Sequence, residues 1–249
     1  QPQTVPIGAG IMRLFNFSTA MAYEGHERYK HDYWVKAIHE SFAPHGIFKL
    51  TLWKDTVPSE SKLFELGLAI LPRFFLVTSQ SGVKSMSLTA EGAVEKAGRS
   101  ATGVMTMTVE CAMATWTCRY NSGYTVTLRG PIVASMSAAA PTGILRFDSI
   151  SFDAKHHEKH IMVDMIGRNG GTPKGTTPAT LHSSPGGNGS AITAKTEDTM
   201  DTRTGLTPEA ASNMVDPSLP PDPVNGFGVP QATMRCLEVR FCLCALIRS

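Results

Sequence analysis

The chain has 249 residues, a net charge of +2, 42% hydrophobic and 18% charged residues. That is enough apolar material for a core, and a charge balance too even for the concentrated cationic face by which proteins grip nucleic acid. No run reaches the roughly 20 apolar residues of a membrane-spanning helix; the best stretch, 67–77, is broken by Pro72 and Arg73.

Residues 1–9 read as a flexible leader. They are Pro/Gly-rich rather than basic and then apolar, unlike a secretory signal, and Gln1 in place of Met points to a fragment. Gly8-Ala9-Gly10 falls short of a dinucleotide fingerprint, because Arg13 stands where the third glycine belongs. Ile11, Leu14, Phe15, Met21 and Ala22 form one stripe at helical spacing, with Ser18 its only polar member. After a polar link, 24–31, Asp32 can cap a second helix carrying Trp34, Ile38 and Phe42, ended by Pro44 and Gly46.

Beyond Gly46 the apolar period becomes two. Phe48, Leu50 and Leu52 share one strand face; Phe64, Leu66, Leu68 and Ile70 share another. Residues 72–81 form a short helix or turn. Alternation resumes over 84–90, 104–120, 124–136 and 144–153, with Asn121-Ser122-Gly123 a hairpin turn and 92–101 a loop. Two helices followed by about six mostly antiparallel strands predict an α+β domain over 10–166, with the helices covering a curved sheet. A cone of the NTF2-like or cystatin-like kind suits this order.

Composition changes near Gly167. From there to Gly226 there is no aromatic residue, and about half of all the prolines occur. Such a segment buries too little apolar surface to offset an ordering entropy of roughly 1–2 kcal/mol per residue. It is expected to be a disordered linker before a C-terminal segment, 227–249.

The chemistry-bearing residues converge on nothing. Cys111, Cys118, Cys236, Cys242 and Cys244 have neither zinc spacing nor a disulfide framework, so reduced thiols are expected. His156, His157, Glu158 and His160 depart from the zinc-protease spacing and end a strand pattern, where i and i+4 lie roughly 13 Å apart. Cys111, Cys118 and the run Met105, Met107, Met113 read as core filling. Neither a metal nor a cofactor is expected. The unusual segment is Leu71-Pro72-Arg73-Phe74-Phe75, with Trp53 before it: a bend that buries two rings, an aromatic/Arg contact surface, or both. Trp53, Arg73, Phe74 and Phe75 are therefore the candidate partner-interface residues.

At these residues a family resemblance emerges. Asp32-Tyr33-Trp34, Ser41-Phe42-Ala43-Pro44-His45-Gly46 and Leu52-Trp53 resemble the start of the LIM-domain-binding/SEUSS self-association domain. Ala69-Ile70-Leu71-Pro72-Arg73-Phe74-Phe75 is similar to its Leu-Pro-Arg-Tyr-Tyr hallmark. Ser81-Gly82-Val83-Lys84, Glu91-Gly92, Gly130 and Leu145-Arg146-Phe147-Asp148 fit its later strands. The segment 227–238 resembles a fungal-type continuation, which stops after Glu238 in a way that suggests an unspliced intron or a shifted frame.

The resemblance implies a non-enzymatic, nuclear transcriptional adaptor. Such proteins self-associate and bind LisH-type single-stranded-DNA-binding-protein homologues and DNA-binding transcription factors, and fungal members act in filamentous growth, adhesion and development. No LIM-interacting peptide is recognisable, so LIM domains are not an expected partner. The alternative is a cone-shaped isomerase or hydratase, which would need an inward-facing acid/base pair from residues such as Glu65, Glu110 and Asp148.

Overall fold

The computed structural model describes residues 6–57, 59–139, 142–163 and 219–247, with side chains as far as 239. Its elements begin with α1 (Ala9–Ala22), a 3-10 turn (His26–Tyr29) and α2 (His31–Ser41). Next come β1 (Phe42–Trp53), β2 (Ser61–Gly67), α3 (Leu71–Gln80), β3 (Val83–Thr89) and β4 (Val94–Arg99). The remainder are β5 (Met105–Tyr120), β6 (Tyr124–Ala139), β7 (Ile144–Ala154), β8 (His156–Ile161) and α4 (Gln231–Ile247).

The expected α+β class is correct: helices pack on an open mixed sheet. Strand order is β2-β1-β7-β6-β5-β3, with β4 also on β5 and β8 also on β6. All pairs are antiparallel except β1 with β7. The long strands β5 and β6 each take two successive partners along an edge. β4 and then β3 lie along β5, while β7 gives way to β8 along β6.

Several local expectations are corrected. The buried stripe of α1 is Gly10, Leu14, Phe17, Ser18 and Met21, so it passes through Phe17 and leaves Ile11 and Phe15 outside. Ser18 tolerates burial because its Oγ accepts the Leu88 N–H at 2.8 Å. Asp32 does not cap α2; it lies inside the first turn, and Lys30 occupies the cap position. Pro44 and Gly46 do not end a helix but sit within β1, where pairing with β7 shifts between Phe42 and Ile47. Leu68 and Ile70 follow the end of β2 and are only half-buried.

The expected loop at 92–101 contains β4, and β8 is a further strand. β4 is exposed along nearly its whole length, so it carries no apolar alternation to read. Its existence depends on the unpaired half of β5. Of the expected linker, 219–226 is described and the rest lies outside the described residues. This end is not free: Val224, Phe227, Val229, Met234 and Leu237 are all buried.

The core is aromatic. Phe75 of α3 stacks on Trp34 of α2 at 5.0 Å and meets Phe17 of α1 at 6.1 Å and Trp116 of β5 at 6.1 Å. Trp116 in turn contacts Phe48, Phe74 and Phe152. Backbones also approach closely where β8 replaces β7 beside β6. A Cβ on Gly130 would lie 1.8 Å from the Asp153 carbonyl oxygen. Gly130→Ala is therefore expected to cost about 3 kcal/mol or more, read as a lower urea midpoint with an unchanged slope; an unchanged midpoint would show that this crossing can relax.

Candidate functional site

The candidate interface residues divide into two kinds. Pro72 opens α3, where its missing N–H costs nothing. The helix then turns Phe74 (3% exposed) and Phe75 (0%) into the core. As folded, these two rings cannot meet a partner; they fix the helix that carries Arg73. Arg73 is exposed, with no hydrogen bond or ion pair among the described residues. Trp53, half-buried, ends β1 and donates its indole N–H to Asp153 Oδ1 at 2.7 Å.

Trp53 pairs with Ser61 at the start of β2, whereas Arg73 follows the end of β2 at Gly67. About six strand steps of ~3.3 Å separate these two ends, roughly 20 Å. They belong to different parts of the surface. Trp53 borders a cavity of about 310 Å³ with Lys54, Asp55, Lys155 and His156.

The C-terminal return also lies at this end, its first part falling within the expected linker. The Asp55 N–H donates to the Gly226 carbonyl at 2.9 Å, and Lys54 and Lys62 approach the Phe227 ring at 6.0 and 5.0 Å. Lys62 pairs with Glu238 at 2.7 Å, and Lys159 with Asp222. Thr78 of α3 and Thr233 of α4 share a buried hydroxyl contact at 3.1 Å. Tyr124 donates to the Pro220 carbonyl at 3.0 Å. The sequence signals for this segment are the apolar spacing of Val224, Phe227 and Val229 after a run of prolines and the family resemblance of 227–238.

Potentially reactive groups are dispersed. Cys118 is enclosed, and burial pushes its thiol up to about 12, out of range for a thiolate nucleophile. Burial also raises the Tyr120 hydroxyl, followed by the nearby Cys118 and Asp222. Cys111 donates to the Glu91 carbonyl at 3.2 Å. Met107 is buried, Met105 half-buried, and Met113 57% exposed.

The residues considered for acid/base chemistry stand on the outer surface. Glu65 pairs with Lys49 at 2.8 Å and Glu110 with Lys96 at 2.7 Å, while Asp148 accepts from Ser137 at 2.8 Å. In β8, Glu158 lies 3.6 Å from His160 and 3.5 Å from Arg129. His157 points the other way, against Gly228. No group of three or more potential ligand side chains gathers for a metal ion among the described residues.

This is an α+β domain with a buried hydrophobic core, whose distinctive sequence features lie on helices, edges and a docked C-terminal return. The chain belongs to the LIM-domain binding protein family, whose family model matches residues 12–243. It is 25% identical over 240 residues to Adhesion defective protein 1 of Schizosaccharomyces pombe, covering 94% of this chain and 56% of that protein. The chain thus spans about half the length of this curated relative. Among solved structures it is similar to the Kfla4162 protein of Kribbella flavida (TM-score 0.38, 8% identity, 59% of this chain and 92% of that one). A similar likeness is to naphthalene 1,2-dioxygenase (TM-score 0.38, 5% identity, 61% and 81%). Likeness at this level carries no shared activity.

Two tests address this region. Phe75→Ala should cost about 3–5 kcal/mol and Arg73→Ala less than about 0.5 kcal/mol in urea unfolding. Equal midpoints would remove Phe75 as the anchor of α3.

The second test concerns pH. Burial holds His157 below its ordinary 6.5, with Asp55 partly opposing. Above that pH the ring is neutral whether folded or unfolded. As pH falls below 6.5 the unfolded chain takes the proton first, so stability declines until the folded pKa is passed. His157→Gln should flatten this part of the melting-temperature profile; parallel profiles for both proteins would refute the assignment.

Proposed function

We propose that the chain is a non-enzymatic transcriptional adaptor that works in the nucleus by self-association. It joins DNA-binding factors to LisH-type partners of the single-stranded-DNA-binding-protein class, in the control of adhesion, filamentous growth or development. The observation that carries this reading is family membership extending over residues 12–243. The name of the fission-yeast relative, Adhesion defective protein 1, favours the adhesion branch. The dispersal of ionisable groups over the outer surface favours recognition over catalysis.

Within this reading Arg73 and Trp53 contact partners directly, and Phe74 and Phe75 act through the packing of α3. Exposed in the first turn of α3, with no hydrogen bond or ion pair among the described residues, Arg73 can form a two-pronged pair with a carboxylate. Trp53 offers a large ring already held by its bond to Asp153, so little freedom is lost on contact.

Light scattering coupled to size exclusion on the full chain should give about twice the 26.8 kDa of one copy. Arg73→Glu should weaken capture of a LisH-domain protein about tenfold or more with an unchanged melting temperature. A strictly monomeric species at every accessible concentration, with no LisH binding, would defeat the proposal.

A further inference from the structure

The residues bordering the Trp53 cavity come from two places. Trp53, Lys54 and Asp55 stand where β1 ends, and Lys155 and His156 where β7 passes into β8. The Trp53 indole joins the two by its bond to Asp153 Oδ1. The β7–β8 side is fixed by its own backbone: the Lys155 N–H donates to the Asp153 carbonyl at 2.9 Å, and Gly130 lies against that carbonyl. The β1–β2 side is held less firmly. The Lys54 N–H donates to the Glu60 carbonyl at 2.9 Å and its Nζ lies 2.7 Å from Glu60 Oε2. Those bonds close the connection only upon itself.

The C-terminal return supplies the outer support. The Asp55 N–H donates to the Gly226 carbonyl, and a Cβ on Gly226 would lie 3.6 Å from Lys54 Cγ. The Phe227 ring lies beside Lys54 and Lys62. One residue further, Gly228 packs on the β8 side, where an added Cβ would lie 2.7 Å from His157 Cγ, next to the lining His156. Three consecutive residues of the return therefore reach both sides of the cavity. Ion pairs pin the return on either flank, Asp222 with Lys159 and Glu238 with Lys62.

We propose that the C-terminal return braces the Trp53 cavity for partner binding. Docked, it holds Lys54 and Asp55 beside Trp53 in the arrangement a partner meets, and a partner bound there holds the return down in turn. The effect is reciprocal because both events favour the same arrangement of the β1–β2 connection. Without the return, the Asp55 N–H loses its acceptor and the connection has more conformations to surrender on contact. Gly226, Phe227 and Gly228 are thus positioning residues that act through Lys54, Asp55 and Trp53. The inference rests on the adaptor reading for its partner, whereas the brace itself is independent of that reading.

The test loosens the return and reads the cavity. Gly228→Val sets a branched side chain at a φ of 75° against His157 and Leu128. Phe227→Ala removes the ring without that collision, and serves where the first variant fails to fold. Trp34 and Trp116 are 1% and 3% exposed, so acrylamide quenching of fluorescence reports Trp53. In either variant quenching should rise about twofold, and the Lys54 amide, whose bond makes no use of the return, should exchange hydrogen about tenfold faster. Ile150→Val, which loosens the buried core away from the cavity, should change neither. Capture of a LisH-domain protein should weaken about tenfold in the two return variants. Unchanged quenching and exchange would overturn the brace, and capture equal to or better than the parent's would overturn its coupling to the partner. A parent chain that itself captures no LisH-domain protein defeats the adaptor reading, while quenching and exchange still decide the brace.

Discussion

The stack of Phe75 on Trp34, with Phe17 and Trp116 at its edges, is the contact on which the arrangement depends. It joins one residue from each of the first three helices to the strand that forms the spine of the sheet. Ring pairs in edge-on or stacked geometry add modestly to the area they bury. Their larger effect here is positional, because a shift of α3 would disturb α1, α2 and β5 together. The first turn of α3, with the exposed Arg73, is held in place by the same rings.

A buried cation reinforces that arrangement from the side. Arg28, in the 3-10 turn before α2, has no exposed surface, and burial lowers its pKa from the ordinary arginine value, with Tyr29, Tyr33 and Glu24 partly opposing. Its Nη groups donate to the Tyr23 carbonyl at 2.9 Å and Ser79 Oγ at 3.2 Å. The Trp34 indole donates to its carbonyl at 2.7 Å. The link from α1 to α2 is therefore tied to the end of α3 by hydrogen bonds that a buried charge requires. The C-terminal return closes over β8 and α3. Gly228 allows this through a φ of 75°, in the region that favours glycine, and through its contact with His157.

The segments that the sequence exposed well were those with strong local chemistry. The step from helical to alternating apolar spacing marked the passage from α2 to β1. Gly123, at a φ of 84°, made the Asn121-Ser122-Gly123 turn recognisable. Family membership was visible in short motifs spread along the chain. Less visible were features whose identity depends on a distant partner: β4, which has almost no buried face; Ser18, whose acceptor role needs Leu88; and residues 220–229, whose apolar positions are too sparse to declare a docking site.

The candidate surface shows the same division. Composition made Arg73, Phe74 and Phe75 unusual, yet could not say which of them point outward, since neighbouring positions on a helix face different ways. Trp53 and Arg73 seemed one feature by proximity along the chain, and the β1–β2 hairpin separates them by its whole length. Sequence alone determined the α+β class, the family and the absence of a spaced ligand or nucleophile motif, because these depend on local periodicity and residue type. Only the tertiary structure decided which aromatic rings are core, where the C-terminal return docks and that Arg28 is buried among hydrogen-bond acceptors. Those facts arise from contacts between residues far apart in the chain, which no local pattern encodes.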